Sequence, residues 1–414
     1  MSFETISVIG LGYIGLPTAA VLASRKVQVV GVDVSQHAVD MINHGKIHIV
    51  EPELDIVVSS AVAAGYLRAT IIPEPSDAFL IAVPTPFKDD HEPDLSFIKS
   101  AVKSIVPVLK KGDLVVLEST SPVGATEMVA TWMAEARADL SFPQNAGEDA
   151  DVNVAHCPER VLPGHIIREL VQNDRVIGGM SRKCAARSIE LYKIFVDGDC
   201  IITDCRTAEM TKLTENSFRD VNIAFANELS LICDRFSINV WELISLANRH
   251  PRVNILQPGP GVGGHCVAVD PWFIIDSAPE EAKLIRTARE VNDGKPDWVI
   301  KKVIDAVEGI RKPVVACLGL SFKANIGDLR ESPALQIVQR LVTSVKAEYL
   351  IVEPNIHELP NFLVTQKNTC LTSLEKAVKD ADVIVLLVDH SEFLSINKQH
   401  LNEKTVIDTR GAWK

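Results

Sequence analysis

Cys266 ends a glycine-rich stretch, Gly259-Pro-Gly-Val-Gly-Gly-His-Cys266, in which four of the six residues 259–264 are glycine. That density indicates unusual backbone geometry or the close approach of a ligand. A thiolate here could attack an aldehyde, and hydride loss from the resulting thiohemiacetal would give a thioester. The alternative is that Cys266 only fills space. His265 is a poor base for the thiol, because adjacent side chains of extended backbone point in opposite directions.

A second set of polar residues falls on one side of a predicted helix. Lys212, Asn216 and Arg219 lie at positions i, i+4 and i+7, which share one helix face. A lysine and an amide projecting from such a face could hold an alkoxide, accept its proton and stabilise tetrahedral oxyanions. A solvated polar stripe is the alternative, because Glu209, Lys212 and Glu215 could equally be ordinary surface charges.

Further polar residues could bind or activate a ligand. Glu159 and Arg160 directly follow a predicted strand, and the carboxylate of Glu159 could steer a water molecule. Asp270, soon after the candidate thiol, could do the same or simply fix the loop. A dense positive run, Arg249-His250-Pro-Arg252, suits an anionic group or a sugar hydroxyl.

The N-terminal stretch carries a dinucleotide-binding pattern. Gly10, Gly12 and Gly15 follow a predicted strand and open a helical run, where three glycines serve a tight turn, close approach to a pyrophosphate and helix–strand packing. Asp33 ends the second predicted strand and fits a carboxylate that accepts hydrogen bonds from the adenosine ribose. The alternative is a glycine turn beside an ordinary strand-end aspartate. Because Asp33 would repel a 2′-phosphate and no Arg follows it in residues 34–36, NAD is favoured over NADP.

Hydroxyl side chains follow two further predicted strands. Thr85 lies between two prolines, and Thr120 and Thr126 lie in the stretch 118–126. Ligands of open α/β sheets bind at the carboxyl ends of the strands, so these hydroxyls could contact ribose, phosphate or a catalytic water. Each could instead cap a helix N-terminus, and Thr126 especially so.

The strand and helix patterns predict an α/β fold in three parts. Residues 1–198 and 301–414 alternate short apolar strands with helices, which predicts two Rossmann-like, doubly wound parallel-sheet domains. The second of these lacks a GxGxxG, so a nucleotide bound there would need other contacts. Residues 199–300 predict a central all-helical domain with a long helix, which would form a domain spine or a dimer interface. Its apolar repeat is Leu213, Val221, Phe225, Leu229, Ile232 and Phe236.

Charge and hydropathy exclude several classes of protein. The net charge is −12 and no basic run interleaved with aromatic residues offsets it, so nucleic acid is not an expected partner. No apolar run is long enough to cross a bilayer, and the first residues lack the basic start of a signal peptide, so we expect no membrane association and a cytoplasmic location. The cysteines show neither a CxxC pair nor zinc spacing, so we expect no metal site.

Taken in order, these motifs resemble the UDP-sugar 6-dehydrogenase family, also known as the UDP-glucose/GDP-mannose dehydrogenase family, along essentially the whole chain. The matching blocks are residues 10–17, 83–86, 118–124, 157–160, 212–216, 263–266 with 270–271, and 322–323 through 328–333. The resemblance implies NAD as cofactor, a UDP-sugar substrate, and a homodimer formed through the central helix.

The resemblance also implies a substrate. His265 and Val269 stand where glucose-specific relatives usually carry Ser and Lys, but relatives that act on UDP-N-acetylglucosamine also carry the His. Finer likeness in residues 157–164 and from Arg206 to Met210 onward favours N-acetylmannosamine. The implied reaction is oxidation of UDP-N-acetyl-D-mannosamine at C6, for a bacterial surface polysaccharide such as enterobacterial common antigen. UDP-N-acetylglucosamine and UDP-glucose are the alternative substrates.

By the same resemblance Cys266 is the nucleophile, Lys212 the proton donor and acceptor, and Asn216 a helper at the oxyanion. Asp270 supports the water chemistry, and Glu159 and Thr120 complete the candidate catalytic set. The expected NAD contacts are Gly10, Gly12, Tyr13, Ile14, Gly15, Asp33, Thr85, Thr126 and Arg330. The expected UDP-sugar contacts are Arg160, Val161, Lys212, Asn216, Arg219, His250, Arg252, Gly263, Lys323 and Arg410.

Two rival functions fit parts of the pattern. A two-electron β-hydroxyacid dehydrogenase also pairs a dinucleotide domain with a helical domain that carries a Lys and an Asn four residues apart. It needs neither the cysteine nor a third domain. An NAD-sensing regulatory protein would keep the first domain and use Cys266 as a redox switch.

Overall fold

The computed structural model describes residues 3–49, 51–88, 91–162, 164–264 and 266–413. The chain divides into two compact units. One comprises Met1–Glu215 with Trp272–Ser277, and the other comprises Asn216–Pro271 with Ala278–Lys414.

The first unit is built around one sheet. Its strands are β1 (Thr5–Ile9), β2 (Gln28–Val32), β3 (Leu67–Thr70), β4 (Ala78–Ile81), β5 (Leu114–Leu117), β6 (Asn153–His156), β7 (Arg175–Gly179) and β8 (Cys200–Asp204). The helices are α1 (Gly15–Ser24), α2 (Gln36–Asn43), α3 (Leu54–Ala63), α4 (Ser96–Ile105), α5 (Ala125–Ala136), α6 (Pro143–Ala146), α7 (Ile166–Gln172) and α8 (Arg182–Tyr192).

The strand order β3-β2-β1-β4-β5-β6-β7-β8 confirms the predicted doubly wound architecture. Strand β1 lies between β2 and β4, with Ile6 opposite both Val29 and Ala78. The order reverses there, and the carboxyl ends of strands at such a point are where open α/β sheets bind ligands. Strands β4, β5 and β6 are buried along their whole length, as expected where helices cover both faces of a sheet.

One edge of this sheet departs from the parallel arrangement. Strands β1 to β6 run parallel, but β7 pairs with β6 in the antiparallel sense, with Ala155 opposite Gly179. Strand β8 is parallel to β7. The last two strands therefore extend the sheet but run antiparallel to the predicted parallel strands.

The second unit contains the C-terminal part of the long helix α9 (Cys205–Arg235), together with α10 (Val240–Ala247), the first residues of α11 (Asp270–Ser277), α12 (Lys283–Val307) and a second sheet. The strands of this sheet are β9 (Val314–Leu318), β10 (Glu348–Val352), β11 (Thr369–Leu371), β12 (Val383–Leu386) and β13 (Thr405–Asp408). Its helices are α13 (Pro333–Ser344), α14 (Asn361–Val364), α15 (Leu374–Asp380) and α16 (Ser391–Leu394). The order β11-β10-β9-β12-β13, parallel throughout, confirms a second Rossmann-like sheet.

Helix α9 confirms the predicted long helix but has an unexpected polarity. Phe225, Ile232 and Phe236 of its apolar repeat are exposed, whereas Asp220 and Asn227 are fully buried. The helix also begins later than its pattern indicated. Residues 200–204 form β8 instead, because a run of β-branched residues favours extended backbone.

Within the described ranges, none of the helices is both long enough and apolar enough to traverse a membrane. In the same ranges, no three His, Cys, Asp or Glu residues are grouped as metal ligands would be.

Candidate active site

The glycine turn after β1 has the form that a dinucleotide requires. Gly10 has φ +91°, and a Cβ there would lie 2.7 Å from the carbonyl oxygen of Ala82. A Cβ at Gly15, the first residue of α1, would collide with the Gly10 carbonyl oxygen. A Cβ at Gly12 would instead meet no atom within 4 Å. The space over Gly12 is therefore open to a ligand while the other two glycines serve the turn itself.

The carboxylate of Asp33 organises this turn. Its two oxygens accept from the backbone N–H of Leu11 at 2.8 Å and of Ser35 at 2.9 Å. Each oxygen keeps a further lone pair, and the side chain is half-exposed. Ile14 caps helix α1 without a side-chain hydrogen bond, so the first N–H groups of this helix suit a pyrophosphate. Glycines, carboxylate and helix start together fit NAD, and Tyr13 lies half-buried beside them.

The three predicted threonines have different surroundings. The Thr85 hydroxyl is buried and has no hydrogen-bond partner among the described residues, which suits a ligand contact. Thr120 is half-buried. The Thr126 hydroxyl is buried and donates to Glu209 at 2.6 Å, and the Thr126 N–H donates to the same carboxylate. Glu209 is thus not the surface charge considered above, and burial raises its pKa.

Lys212 is held by the segment that follows β6. Its Nζ donates to the backbone carbonyl of Glu159 at 2.6 Å. The Glu159 carboxylate forms a buried ion pair with Arg175 at 2.5 Å and accepts from the N–H of Arg160 at 2.7 Å. Both carboxylate oxygens are therefore engaged within the protein, and Glu159 also offers its carbonyl to Lys212.

A buried carboxyl group lies behind this ion pair. Glu118 accepts a hydrogen bond from the Tyr192 hydroxyl at 2.6 Å. Burial, and next the charge of Glu159, raise the pKa of Glu118 to about 7. Arg175 and Tyr192 were not among the predicted site residues. Arg175 begins a strand that the sequence pattern did not reveal, so only the charge itself could have drawn attention to it.

Cys266 is exposed, and the backbone after it is tightly bound. Its carbonyl oxygen accepts from the N–H of Val269 at 3.0 Å and of Asp270 at 2.8 Å. Asp270 is buried and accepts from the side-chain amide of Asn216 on α9 at 2.5 Å. The thiol therefore begins a turn that is tied to the face of α9 predicted to carry polar groups. His265 lies outside the described residues.

Other residues lie against the glycines before Cys266 and leave little room for a side chain. A Cβ at Gly263 would lie 2.5 Å from the Glu331 carbonyl oxygen, and one at Gly261, where φ is +150°, would lie 2.8 Å from Pro333 Cβ. A Cβ at Gly259 would lie 2.6 Å from a guanidinium nitrogen of Arg410. The atoms close to these glycines belong to the protein itself, in the segment after β9, at the start of α13 and at the C-terminus. The predicted close approach of a ligand stays a prediction.

The basic residues predicted for the substrate are mostly accessible. Arg219, His250, Arg252 and Lys323 are exposed. Arg330 is also exposed and pairs with Asp328, and Arg410 donates through Nε to Asp389 at 2.9 Å. Arg160 donates to Glu215 at 2.7 Å and to the Asp174 carbonyl at 2.6 Å, beside half-buried Val161.

Three family models cover most of the chain. The NAD-binding domain of the UDP-glucose/GDP-mannose dehydrogenase family matches residues 4–196. The central domain of that family matches residues 206–294, and its UDP-binding domain matches residues 316–414.

Characterised relatives are similar over their full lengths. An NDP-N-acetyl-D-galactosaminuronic acid dehydrogenase of Ralstonia nicotianae is 64% identical over 100% of this chain and 97% of its own length. A UDP-N-acetyl-D-mannosamine dehydrogenase of Escherichia coli K12 is 63% identical over 100% of both chains.

Solved structures agree with these relatives. A UDP-D-ManNAc dehydrogenase of Pyrococcus horikoshii has a TM-score of 0.87 at 40% identity and covers 99% of this chain and 96% of its own. A UDP-N-acetyl-mannosamine dehydrogenase of Staphylococcus aureus has a TM-score of 0.86 at 42% identity and covers 99% and 96%. This chain therefore belongs to the UDP-glucose/GDP-mannose dehydrogenase family and is an NAD-dependent dehydrogenase.

Proposed function

We propose that the protein oxidises UDP-N-acetyl-D-mannosamine at C6 to UDP-N-acetyl-D-mannosaminuronate, a four-electron reaction that passes through a thioester on Cys266. The observation that carries this proposal is the exposed Cys266 thiol on a turn tied by Asp270 and Asn216 to helix α9. The full-length identity to UDP-N-acetyl-D-mannosamine dehydrogenases supports the choice of sugar.

The first oxidation needs a group that removes a proton from the C6 hydroxyl. When bound, NAD supplies the hydride acceptor for each of the two oxidation steps. Lys212 in its neutral form takes the hydroxyl proton, and the resulting ammonium stabilises the neighbouring oxygen. Its bond to the Glu159 carbonyl holds the amine in one place. Asn216 supplies an amide N–H to the same oxygen.

The second oxidation uses the thiol. The Cys266 thiolate attacks the aldehyde carbon, a C–S bond forms, and the oxyanion takes a proton from the Lys212 ammonium. Lys212 takes that proton back as the thiohemiacetal loses its hydride, which leaves the thioester. Water then attacks the acyl carbon and releases its two protons to solvent, the C–S bond breaks, and the thiolate leaves with the carboxylate as product. Asp270, Glu159 and Thr120 are the groups proposed to orient this water, with Glu159 acting from its fixed place beside Arg175.

We assign binding residues on the same basis. NAD is held by residues of the glycine turn, by Asp33 and by hydroxyl or basic side chains: Gly10, Gly12, Tyr13, Ile14, Gly15, Thr85, Thr126 and Arg330. The UDP-sugar is held by Arg160, Val161, Lys212, Asn216, Arg219, His250, Arg252, Gly263, Lys323 and Arg410. The hydroxyl of Thr126 already donates to Glu209, so Thr126 would contact NAD through its methyl group or as an acceptor.

A second candidate substrate is the UDP derivative of N-acetyl-D-galactosamine. It is favoured by one observation, the 64% identity to NDP-N-acetyl-D-galactosaminuronic acid dehydrogenases. Purified protein should be incubated with NAD and, in parallel, the UDP derivatives of N-acetylmannosamine, N-acetylgalactosamine, N-acetylglucosamine and glucose. We expect the highest kcat/KM with UDP-N-acetyl-D-mannosamine. A higher value with any other sugar would reassign the substrate.

The catalytic role of Cys266 has its own test. Cys266→Ser should largely abolish uronate formation, because a serine ester forms and hydrolyses poorly in this site, while NAD binding survives. Unchanged turnover of Cys266→Ser would refute the assignment of Cys266 as the nucleophile. No turnover with any of the four sugars, alongside tight NAD binding, would favour the NAD-sensing regulator.

We infer that the protein works as a homodimer in the cytoplasm. Phe218, Phe225 and Ile232 are spaced by seven residues on α9 and are 70, 50 and 47% exposed, which makes an apolar stripe suited to a second copy. Sedimentation should give twice the chain mass, and Phe225→Asp should give monomers. We also propose the three-domain division at residues 198 and 300, which the family models support, and a role in a surface polysaccharide of the enterobacterial common antigen type.

A further inference from the structure

A buried chain of hydrogen bonds joins α9 and α12 and ends on the glycine loop, residues 259–264. Arg289 Nη1 and Asn292 Nδ2 donate to the same Asp220 oxygen at 2.6 and 2.8 Å. Asn227 Nδ2 donates to Asn292 Oδ1 at 2.8 Å, and the Gly259 N–H donates to Asn227 Oδ1 at 2.9 Å. All four side chains of this chain are at most 2% exposed.

The carboxylate at one end sets the orientation of both amides. Asp220 is ion-paired with Arg289 and only accepts hydrogen bonds. Asn292 must therefore turn its NH2 group to Asp220 and its oxygen to Asn227. Asn227 must then give its NH2 group to Asn292, which leaves its oxygen for the Gly259 N–H. Each hydrogen-bonded group is therefore oriented by the preceding one, so the Gly259 N–H of the loop is bound in a single position.

The loop is also tied at its far end. Asn216 donates to Asp270, and the Asp270 N–H donates to the carbonyl of Cys266. Asn216 and Asn227 lie 11 residues apart on α9, which places them on one face of the helix about 16 Å apart. One helix face therefore holds the backbone on both sides of the thiol.

We propose that Asn227 is a positioning residue: through the Gly259 N–H it fixes the start of the glycine loop against α9, and so fixes where Cys266 is presented. This proposal rests on the proposed role of Cys266 as nucleophile. Neither the glycine pattern nor the helix pattern of the sequence indicates this role of Asn227, because the hydrogen bonds join residues up to 72 positions apart.

The test uses Asn227→Asp in full-length protein. A carboxylate at position 227 would face Asn292 Oδ1, and Asn292 cannot turn because Asp220 needs its NH2 group. We expect kcat to fall roughly 100-fold, as for an ångström-scale displacement of a reacting group, while KM for NAD changes less than twofold. Asn368→Ala is the control, since within the described residues its side-chain amide donates to the backbone carbonyls of Val342 and Ala347, and it should retain kcat.

A second readout follows the thiol directly. Cys266 and Cys370 are the two exposed cysteines, so iodoacetamide alkylation of Cys266 can be followed by mass spectrometry in a Cys370→Ser background. Asn227→Asp should change its rate at least threefold across pH 6 to 9. Unchanged kcat and alkylation, in a protein that Cys266→Ser inactivates, would overturn the role of Asn227 and leave the proposed function standing.

A neutral substitution separates loss of these hydrogen bonds from the effect of an added charge. Where Asn227→Asp does not fold, Asn227→Ser, which removes both bonds without adding charge, should lower kcat about tenfold, and normal kcat would overturn the proposal.

Discussion

Each Rossmann-like sheet has a corner, which is the turn after its central strand together with the carboxylate that follows the neighbouring strand. This corner is open in the first sheet and closed by other side chains in the second. In the first sheet the N–H of Leu11 donates to Asp33, and in the second the N–H of Leu320 donates to Glu353, each at 2.8 Å. Both carboxylates follow the strand next to the glycine turn. Asp33 is half-exposed, whereas Glu353 is buried and bonded to His390 at 3.0 Å.

The helices that follow the two corners differ in the same direction. Only residues 10–14 separate β1 from α1, and the N-cap residue Ile14 makes no side-chain hydrogen bond. Residues 319–332 separate β9 from α13, and Ser332 caps that helix by accepting from the N–H of Leu335 at 3.3 Å. In the second sheet the protein itself therefore supplies an acceptor for the helix N–H groups that suit a pyrophosphate in the first sheet.

This difference teaches how one architecture takes two kinds of nucleotide. A short turn that leads directly into an uncapped helix suits a phosphate bound by backbone N–H groups. A long segment between β9 and α13 must instead offer side chains, and Lys323 is exposed on it. We expect NAD binding at the first corner to depend on the glycines and Asp33, and UDP binding at the second to depend on this basic side chain.

The largest effect should come from closing the first corner. Gly10→Ala forces alanine to φ +91° and 2.7 Å from the Ala82 oxygen, which should weaken NAD binding roughly 100-fold, given ~1–3 kcal/mol of backbone strain. Gly319→Ala, at φ +95° and against Val388, should spare NAD binding and lower stability. Calorimetric titration with NAD checks both variants. Equal losses of NAD affinity would end the distinction between the corners.

Exchanging the acids should have the next largest effect. Asp33→Ala removes the acceptor of two backbone N–H groups and of the proposed hydrogen bond from the ribose. It should raise the dissociation constant for NAD about 30-fold, since a hydrogen bond to a charged group contributes ~1.5–3 kcal/mol. Glu353→Gln should change that constant less than twofold. An NAD defect in Glu353→Gln would contradict a closed second corner.

A basic side chain of the second corner should affect UDP instead. Lys323→Ala should weaken UDP binding about tenfold, since it removes a charge-assisted hydrogen bond to phosphate of ~1.5 kcal/mol. It should raise KM for the UDP-sugar and leave KM for NAD nearly unchanged. Lys346→Ala, an exposed lysine before β10, is the matched control, and a loss as large in that variant would mean only a general charge effect.

The smallest effect concerns acid stability. Burial alone would raise the pKa of Glu353, but hydrogen bonds from His390 and from the N–H groups of Leu320 and Asn355 lower it to about 2. The unfolded carboxyl, near its ordinary value of 4.5, binds its proton first as pH falls. Its stabilisation is therefore complete above about pH 4.5 and is lost as pH drops toward 2. The free energy of unfolding of Glu353→Gln, measured by urea denaturation, should depend less on pH over this window, with a slope smaller by up to one proton. An unchanged slope would contradict the lowered pKa of Glu353.

Local sequence patterns indicated the open corner of the first sheet but not the closed corner of the second. The three glycines, Asp33 and the loop before Cys266 are contiguous motifs whose chemistry is readable from residue type. Glu353 gave no such signal, because its partner His390 is brought to it only by the fold. Strands β3, β8 and β11 were not predicted, since they are short or lie at sheet edges with few buried residues. Strand β7 lies inside the sheet and is largely buried, and it was missed because a charged residue begins it and two glycines end it.

The long helix shows the same limit. Its length and its lack of Gly and Pro predicted α9, and Lys212 and Asn216 were placed on one of its faces. That the buried face includes Asp220 and Asn227 could not be predicted, because their hydrogen-bond partners are residues of α12 and of the glycine loop. The bond from Thr126 to Glu209 spans 83 positions and was equally hidden.

The central claim is that Cys266 carries an acyl intermediate, so that one enzyme performs two oxidations. The most direct measurement is the yield of NADH when a limiting amount of UDP-N-acetyl-D-mannosamine is consumed to completion, with the sugar product quantified alongside. The account predicts two NADH and one uronate for each sugar consumed. One NADH per sugar, with an aldehyde or ketone as product, would contradict it and favour a two-electron dehydrogenase.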